Sequence, residues 1–177
     1  MDKAWSSSVL VEDSQAVARM CTETDDIMLA LDMEPDAQGV GWSMFMAGEA
    51  SDGMQLWLEE RKEVSLFGRM RVDRGKIYGV RFDFYRQGDA LIIEMRGEFR
   101  NMFLHEAVKG SWLRVDIDDG TGDDRTAVFS LDGFETMLDR CVALAGLIRD
   151  WDRSDRDYFR NAVPQEKFRF RRDGTGS

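Results

Sequence analysis

The chain has 177 residues, of which 43% are hydrophobic and 33% are charged, and its formal net charge at pH 7 is −10. This length and composition fit one globular domain with a sizeable core and exclude wholesale disorder. An acidic chain repels the nucleic-acid backbone, and no apolar run approaches the roughly 20 residues that a membrane-spanning helix needs. We therefore expect neither a nucleic-acid-binding protein nor a membrane-spanning one.

Apolar and polar residues alternate through the first half of the chain, with turn residues about every ten positions. The alternation is clearest where Leu29, Leu31 and Met33 share one face, a pattern typical of a strand with one side buried. Similar runs predict strands over 5–11, 16–21, 42–48, 64–72, 77–85 and 90–95, and a hairpin at 50–53 that returns over 54–58. Such short, regularly spaced strands favour an antiparallel β-sandwich of Ig-like character, or a barrel.

After these strands the spacing of the apolar residues changes from alternating to helical. A short helix is predicted near 99–109, because four apolar residues there have helical spacing: Phe99, Met102, Phe103 and Ala107. Gly110 is expected to cap its C-terminus. Two strands follow, over 112–117 and 126–131, and Asp132 is expected to cap a closing helix near 132–148.

The charge pattern divides the chain into two parts. Residues 4–148 carry the predicted strands and helices, and we expect them to form one β-rich domain. Residues 149–177 are densely charged and end in small polar residues, which predicts a C-terminal extension. No apolar segment follows Met1, so we expect no signal peptide within this chain.

Two segments near the predicted closing helix resemble those of a known family. Phe103–Gly110 reads FLHEAVKG, a strand begins at Trp112, and Phe129–Phe134 reads FSLDGF. In this order they resemble the C-terminal half of the invasion-associated locus B family. The ending, a strand, a glycine, a helix and a cysteine, is also similar to bacterial TagO-like periplasmic proteins associated with type VI secretion. The resemblance implies a periplasmic or secreted Ig-like β-sandwich with no known catalytic activity and no catalytic residues to carry over.

Cys21 and Cys141 are the only cysteines. In an oxidising compartment they would pair, and closing so long a loop would stabilise the fold by roughly 4–5 kcal/mol. In a reducing compartment they would be two buried thiols that act as small hydrophobic residues. The sequence leaves both alternatives open.

The turn between the two late strands is the most acidic stretch, and it is the one candidate calcium site: Asp116, Asp118, Asp119, Asp123 and Asp124. Calcium prefers clustered carboxylate oxygens. However, Thr121 stands where an EF-hand loop requires glycine, and Ala127 stands where it requires glutamate. We therefore interpret the stretch as a solvated hairpin turn and expect no metal site.

Nothing in the sequence predicts catalysis or a cofactor. His105 is the only histidine, and no Gly-x-Ser-x-Gly motif accompanies it. The glycines match neither the dinucleotide-binding nor the P-loop spacing. We therefore expect a protein that is not an enzyme and needs no cofactor. Four aromatic residues in alternating strands are expected in the core: Trp42, Trp57, Trp112 and Phe129.

The C-terminal extension contains a basic aromatic run that is the candidate partner-binding segment: Lys167, Phe168, Arg169, Phe170, Arg171 and Arg172. An extended segment of this kind can add as a strand to the edge of a sheet. The favoured hypothesis is a non-enzymatic envelope or secreted protein that acts through protein–protein contacts. The alternatives are a cytoplasmic acidic adaptor or inhibitor that binds a basic protein, with mimicry of nucleic acid as one way to do so, and, less favoured, a hydrolase that uses His105.

Overall fold

A computed structural model of the chain describes residues 4–12, 15–25, 27–36, 39–48, 63–88, 90–118 and 124–160. Nine strands lie within these ranges: β1 (Ser6–Glu12), β2 (Gln15–Thr24), β3 (Ile27–Asp36), β4 (Gly39–Gly48), β5 (Glu63–Val72), β6 (Tyr78–Gln87), β7 (Ala90–Arg96), β8 (Trp112–Asp118) and β9 (Asp124–Ser130). Three helical segments accompany them: a 3-10 helix (Glu98–Asn101), α1 (Phe103–Ala107) and α2 (Phe134–Arg160). The predicted mainly antiparallel β fold with one short and one C-terminal helix is confirmed.

The strands form one antiparallel sheet in the order β1-β2-β3-β4-β7-β6-β5-β8-β9. The strands from β1 to β4 pair in sequence order, and so do β5, β6 and β7. However, β4 pairs with β7, where Met44 lies opposite Met95. This pairing leaves β5 free to pair with β8, which is distant in the sequence. The hairpin expected at 50–53 and its return over 54–58 lie outside the described residues.

The sheet buries one face along its whole width. In β6, Tyr78, Val80, Phe82 and Phe84 are buried, and the residues between them are more exposed. The same alternation in β2, β7 and β8 makes a continuous core inside the curled sheet. Trp5, just before β1, donates a 2.9 Å hydrogen bond from its Nε1 to the carbonyl oxygen at Ser130, the last residue of β9. This bond, together with contacts between β2 and β9, brings the two ends of the sheet together, as in a barrel-like fold.

Aromatic side chains fill one end of the curled sheet. The ring of Phe103 on α1 lies 6.0 Å from that of Phe134 on α2, and 6.0 Å from that of Trp42 on β4. Trp5 in turn packs edge-on against Phe134, with 5.0 Å between ring centroids. The 3-10 helix and α1 therefore close this end, and the expected core position of Trp42 is consistent with its contacts.

Two details of the short helix differ from the prediction. Met102, which was expected on the buried face, is 46% exposed, because the change from a 3-10 helix to an α-helix alters the angular spacing of its residues. Gly110 does not have the positive φ angle that a glycine at a helix C-terminus usually adopts. A Cβ atom there would instead overlap a methyl group of Val72, so close packing against β5 explains the glycine.

The helix α2 packs against β1, β2, β3 and β4, with Cys141 and Ala145 buried at this contact. As a result β3 is buried on both faces, and Ala30 and Asp32 are nearly as inaccessible as the core residues between them. The prediction that Asp132 caps α2 is wrong. The carbonyl oxygen of Gly133 accepts the first intrahelical hydrogen bond, so Gly133 is the N-cap residue.

The helix α2 continues without a break from Phe134 to Arg160, across the expected boundary at residue 148. The division of the chain at that residue stays a prediction. None of the helices in the described part of the chain is long and apolar enough to cross a membrane.

Candidate partner-binding surface

The outer face of β5, β8 and β9 carries a cluster of basic and apolar side chains, and Ile77, just before β6, lies beside it. We call this cluster the arginine–aromatic face and define it by seven residues: Phe67, Arg69, Arg71, Ile77, Trp112, Arg114 and Val128. They lie together because each strand turns alternate residues outward, while Met70, Leu113 and Phe129 point into the core.

The strand register fixes the neighbours within the arginine–aromatic face. Arg71 on β5 lies directly opposite Arg114 on β8, and Arg114 lies opposite Val128 on β9. One step along the sheet, Arg69 lies opposite Asp116. The face therefore contains two arginines side by side and one acidic residue next to them.

The apolar members of the face are unusually exposed for their size. Phe67 is 74% exposed, Ile77 54%, Trp112 48% and Val128 40%. A single exposed apolar residue is ordinary, but several on one face mark an interaction surface. The expectation that Trp112 lies in the core is wrong, because Leu113 takes the inward position and the alternation of β8 turns Trp112 outward.

Of the three arginines, only Arg114 forms an ion pair with another residue in the described part of the chain. Arg114 donates a 3.0 Å hydrogen bond from Nε to Asp116, which also accepts a 2.9 Å bond from the Thr126 hydroxyl. Arg69 and Arg71 make no hydrogen bond or ion pair with any other described residue. Arg69 nevertheless lies opposite Asp116 and contributes to its electrostatic environment, whereas Arg71 lies opposite Arg114.

The carboxylate of Asp116 is held in its charged form. Burial acts to raise the pKa of Asp116, but the hydrogen bonds from Arg114 and Thr126 and the charges of Arg114 and Arg69 outweigh it, so the pKa lies below its usual value. Asp116 thus neutralises one arginine at neutral pH. The three arginines of the face still outnumber the two acidic side chains beside them, since Asp118 lies on the same side of β8 as Asp116.

The surface between these side chains is shallow and open. Arg69, Arg71, Ile77 and Arg114 line a depression of about 200 Å³. A second depression, of about 330 Å³, lies beside Phe67 and Asp118. Shallow depressions of this kind suit a flat or extended partner better than a small molecule that must be enclosed.

The turn between β5 and β6 holds the end of the face in place. The carboxylate of Asp73 accepts hydrogen bonds from the backbone nitrogens of Ser111, at 3.0 Å, and Trp112, at 2.9 Å. The backbone nitrogen of Asp73 donates a 2.8 Å bond to the carbonyl oxygen of Trp112. These hydrogen bonds fix the backbone at Trp112, at the end of the face.

The two cysteines are both free thiols in the structure, on elements that pack together. Cys21 is half-buried on β2, 3.4 Å from the Ser6 hydroxyl oxygen. Burial, and next the negative charge of Asp32, raise the pKa of the Cys141 thiol to about 11. A disulfide between Cys21 and Cys141 stays a prediction.

Most of the acidic turn lies outside the described residues, and so do Asp119 and Asp123. Asp116 is engaged with Arg114 and Thr126, and Asp118 stands at the end of β8. The candidate calcium site therefore stays a prediction, and no group of three potential metal ligands occurs among the described residues.

The basic aromatic segment Lys167–Arg172 also lies outside the described residues, as does Trp57. His105 is exposed on α1, where its Nε2 lies 3.1 Å from the Lys109 ammonium nitrogen. No serine or carboxylate completes a catalytic triad around His105 in the part of the chain that the structure describes.

No protein-family model matches this chain, and no curated protein sequence and no solved structure is similar to it at a significant level.

Proposed function

We propose that this protein is a non-enzymatic binding protein that acts through protein–protein contacts, with the arginine–aromatic face as its binding surface. The observation that carries the proposal is that the exposed Phe67, Ile77 and Trp112 share one side of the sheet with the arginines of the face. Aromatic residues and arginine are the types most enriched at protein interfaces and at their energetic centres.

The rigidity of this surface also supports the proposal. The face is built on the paired strands β5, β8 and β9, and Asp73 fixes the backbone beside Trp112. A partner that binds to side chains already in place loses less conformational entropy than one that must order a loop. We propose a periplasmic or secreted setting on the resemblance of Phe103–Gly110 and Phe129–Phe134 alone.

The proposal is tested by affinity capture with the full chain as bait, followed by a binding measurement with the purified partner. Replacing Phe67 and Trp112 by serine should weaken binding by about tenfold or more, because anchors of this kind each contribute over 1 kcal/mol. The matched control is Leu147→Ser, which removes an exposed apolar side chain from α2 instead.

Each variant is first compared with the wild type by thermal unfolding, so that lost binding is not confused with lost folding. A partner that is retained equally by the wild type and by the Phe67→Ser, Trp112→Ser variant would contradict this use of the face. A partner that is basic and is released by salt alone would favour the acidic-adaptor hypothesis instead.

A further inference from the structure

The pairing of Arg71 with Arg114 has no explanation within the fold. Like charges directly opposite each other on neighbouring strands destabilise a sheet. Asp116 binds Arg114, but Arg71 makes no ion pair with any described residue, in a chain with 34 acidic side chains. A repulsive arrangement of this kind is stabilised when a ligand supplies the missing negative charge.

Basic residues are concentrated in the part of the sequence that contributes β5 to the arginine–aromatic face. Between residues 67 and 81 there are five basic residues and one acidic residue, whereas the whole chain has 24 basic and 34 acidic residues. Two of these five, Arg69 and Arg71, belong to the face, where Arg114 joins them, so the face is more basic than the molecule as a whole. Its charge favours an acidic ligand, while the charge of the rest of the molecule disfavours a long polyanion such as nucleic acid.

We propose that the arginine–aromatic face binds an extended acidic segment of a protein partner, through carboxylates that pair with Arg69, Arg71 and Arg114. This inference rests on the proposed function and specifies the chemistry of the partner. Guanidinium groups bind carboxylates through paired hydrogen bonds, which gives geometric specificity as well as attraction.

The spacing of the arginines matches such a segment. Arg69 and Arg71 are two positions apart on β5, and alternate residues of any extended strand are about 6.6–6.8 Å apart on the same side. Two acidic residues in alternate positions of the partner can therefore reach both guanidinium groups. Phe67 and Ile77 lie beside them and provide apolar contact for a neighbouring hydrophobic residue of the segment.

Gly79 provides room for the partner to approach. It lies opposite Arg69 on β6, and an added Cβ atom there would meet no atom within 4 Å. A side chain placed at this position would therefore stand above the sheet next to Arg69 without disturbing the core. Gly79→Val is consequently a steric test of the face that leaves all three arginines in place.

The experiment uses fluorescein-labelled synthetic peptides and the full chain, with binding followed by fluorescence anisotropy. The probe peptide has glutamate at two alternate positions and tryptophan two residues further on, and its matched control has glutamine in place of both glutamates. We expect the glutamate peptide to bind at least about tenfold more tightly. Its affinity should fall as NaCl is raised from about 50 to about 300 mM, because salt screens exposed charges.

Arg71→Glu and Arg114→Glu should each weaken binding by about tenfold or more, and Gly79→Val should weaken it as well. The matched control is Arg140→Glu, since Arg140 is exposed on α2, which packs over β1 to β4. If a charge reversal impairs folding, Arg71→Gln and Arg114→Gln test the same contacts. Arg71→Lys keeps the charge but loses the paired hydrogen bonds, so it should retain only part of the affinity.

Three results with the purified protein alone or with the probe molecules would overturn the inference. They are equal binding of the two peptides, tighter binding of a single-stranded oligonucleotide than of the glutamate peptide, and self-association of the protein that Arg71→Glu abolishes. A captured partner that needs Phe67 and Trp112 but not Arg71 or Arg114 would leave the proposed function intact and remove only this inference. A captured partner that needs none of the four would remove both.

Discussion

The ion pair between Arg19 and Asp32 is the most buried of the described charge pairs, with side chains 23% and 11% exposed. Two hydrogen bonds of 2.7 and 2.8 Å join the guanidinium group to the carboxylate, and the guanidinium also lies 4.5 Å from the ring centroid of Phe45. Asp32→Ala should lower the free energy of unfolding by about 3 kcal/mol, because it removes two hydrogen bonds between oppositely charged groups that are largely shielded from water. Urea denaturation measures the change.

A double variant serves as the control for the Asp32 prediction. Arg19→Met with Asp32→Leu replaces the pair by apolar side chains and should recover most of the stability, since buried ion pairs and hydrophobic replacements are often equivalent. A loss below about 1 kcal/mol for Asp32→Ala alone would show that water or another group replaces the carboxylate.

Cys141 makes stability depend on pH in the alkaline range. Burial raises the pKa of its thiol from an ordinary value of 9.0 to about 11, with a further contribution from the charge of Asp32. Between these values the unfolded chain loses the proton while the folded protein keeps it, so stability falls as pH rises. We expect the free energy of unfolding to decrease between about pH 9 and 11, by at most about 3 kcal/mol.

The Cys141→Ala variant isolates this effect, because other groups also titrate at high pH. Its unfolding free energy, measured with urea over the same range, should decrease less steeply than that of the wild type. Equal slopes for the two proteins would contradict the prediction. Thiol titration of the folded, reduced protein adds a second measurement, in which Cys141 should react far more slowly than after unfolding.

At the scale of single elements, the close approach of β5 and β8 depends on a glycine. A Cβ atom at Gly68 would overlap the backbone carbonyl oxygen of Asp116 and press against the ring of Phe82. Gly68→Ala should therefore lower the free energy of unfolding by about 2 kcal/mol, within the usual range for overpacking. The matched control is Gly79→Ala on β6, which should be neutral or slightly stabilising because glycine weakens a strand interior. Equal effects of the two substitutions on chemical denaturation would refute this account.

The strands and helices could be predicted from the local sequence pattern, but which elements pair or pack with each other could not. Leu29, Leu31 and Met33 alternate because β3 faces the core, and that signal is present within a few residues. The burial of Ala30 and Asp32 on the opposite face depends on α2, which lies about a hundred residues later and leaves no mark in the period of β3. The pairing of β4 with β7 is likewise set by the fold as a whole.

The arginine–aromatic face was missed for the same reason. Arg71 and Arg114 each look like ordinary solvent-facing residues of an alternating strand, and only the register of β5 with β8 brings them together. Two local signals were nevertheless present. The inward phase of Leu113 and Val115 already requires Trp112 to face outward, and the basic residues between 67 and 81 stand out in an acidic chain.

At the scale of the whole molecule, two charge effects change the stability in opposite directions as pH falls. The net charge of −10 at pH 7 repels itself, and this repulsion weakens as pH falls towards the isoelectric point near 4.7. Against this, Asp83 and Asp116 have pKa values below their usual range. Burial acts to raise the pKa of Asp83, but hydrogen bonds from Arg81 and Ser65 and the charges of Arg81 and Arg96 outweigh it.

A lowered pKa means that the unfolded chain binds protons before the folded protein does, so stability is lost as pH falls through this range. We therefore expect the free energy of unfolding to be greatest near pH 5 and to decrease below about pH 4. Asp83→Asn with Asp116→Asn should be less stable at neutral pH and should show a shallower decrease in acid. Urea denaturation at constant ionic strength measures the free energy of unfolding both between pH 7 and pH 5 and below pH 4. If the double variant loses stability in acid as steeply as the wild type, other carboxylates cause the loss.

Higher salt should reduce the gain in stability between pH 7 and pH 5, because salt screens the repulsion between exposed charges.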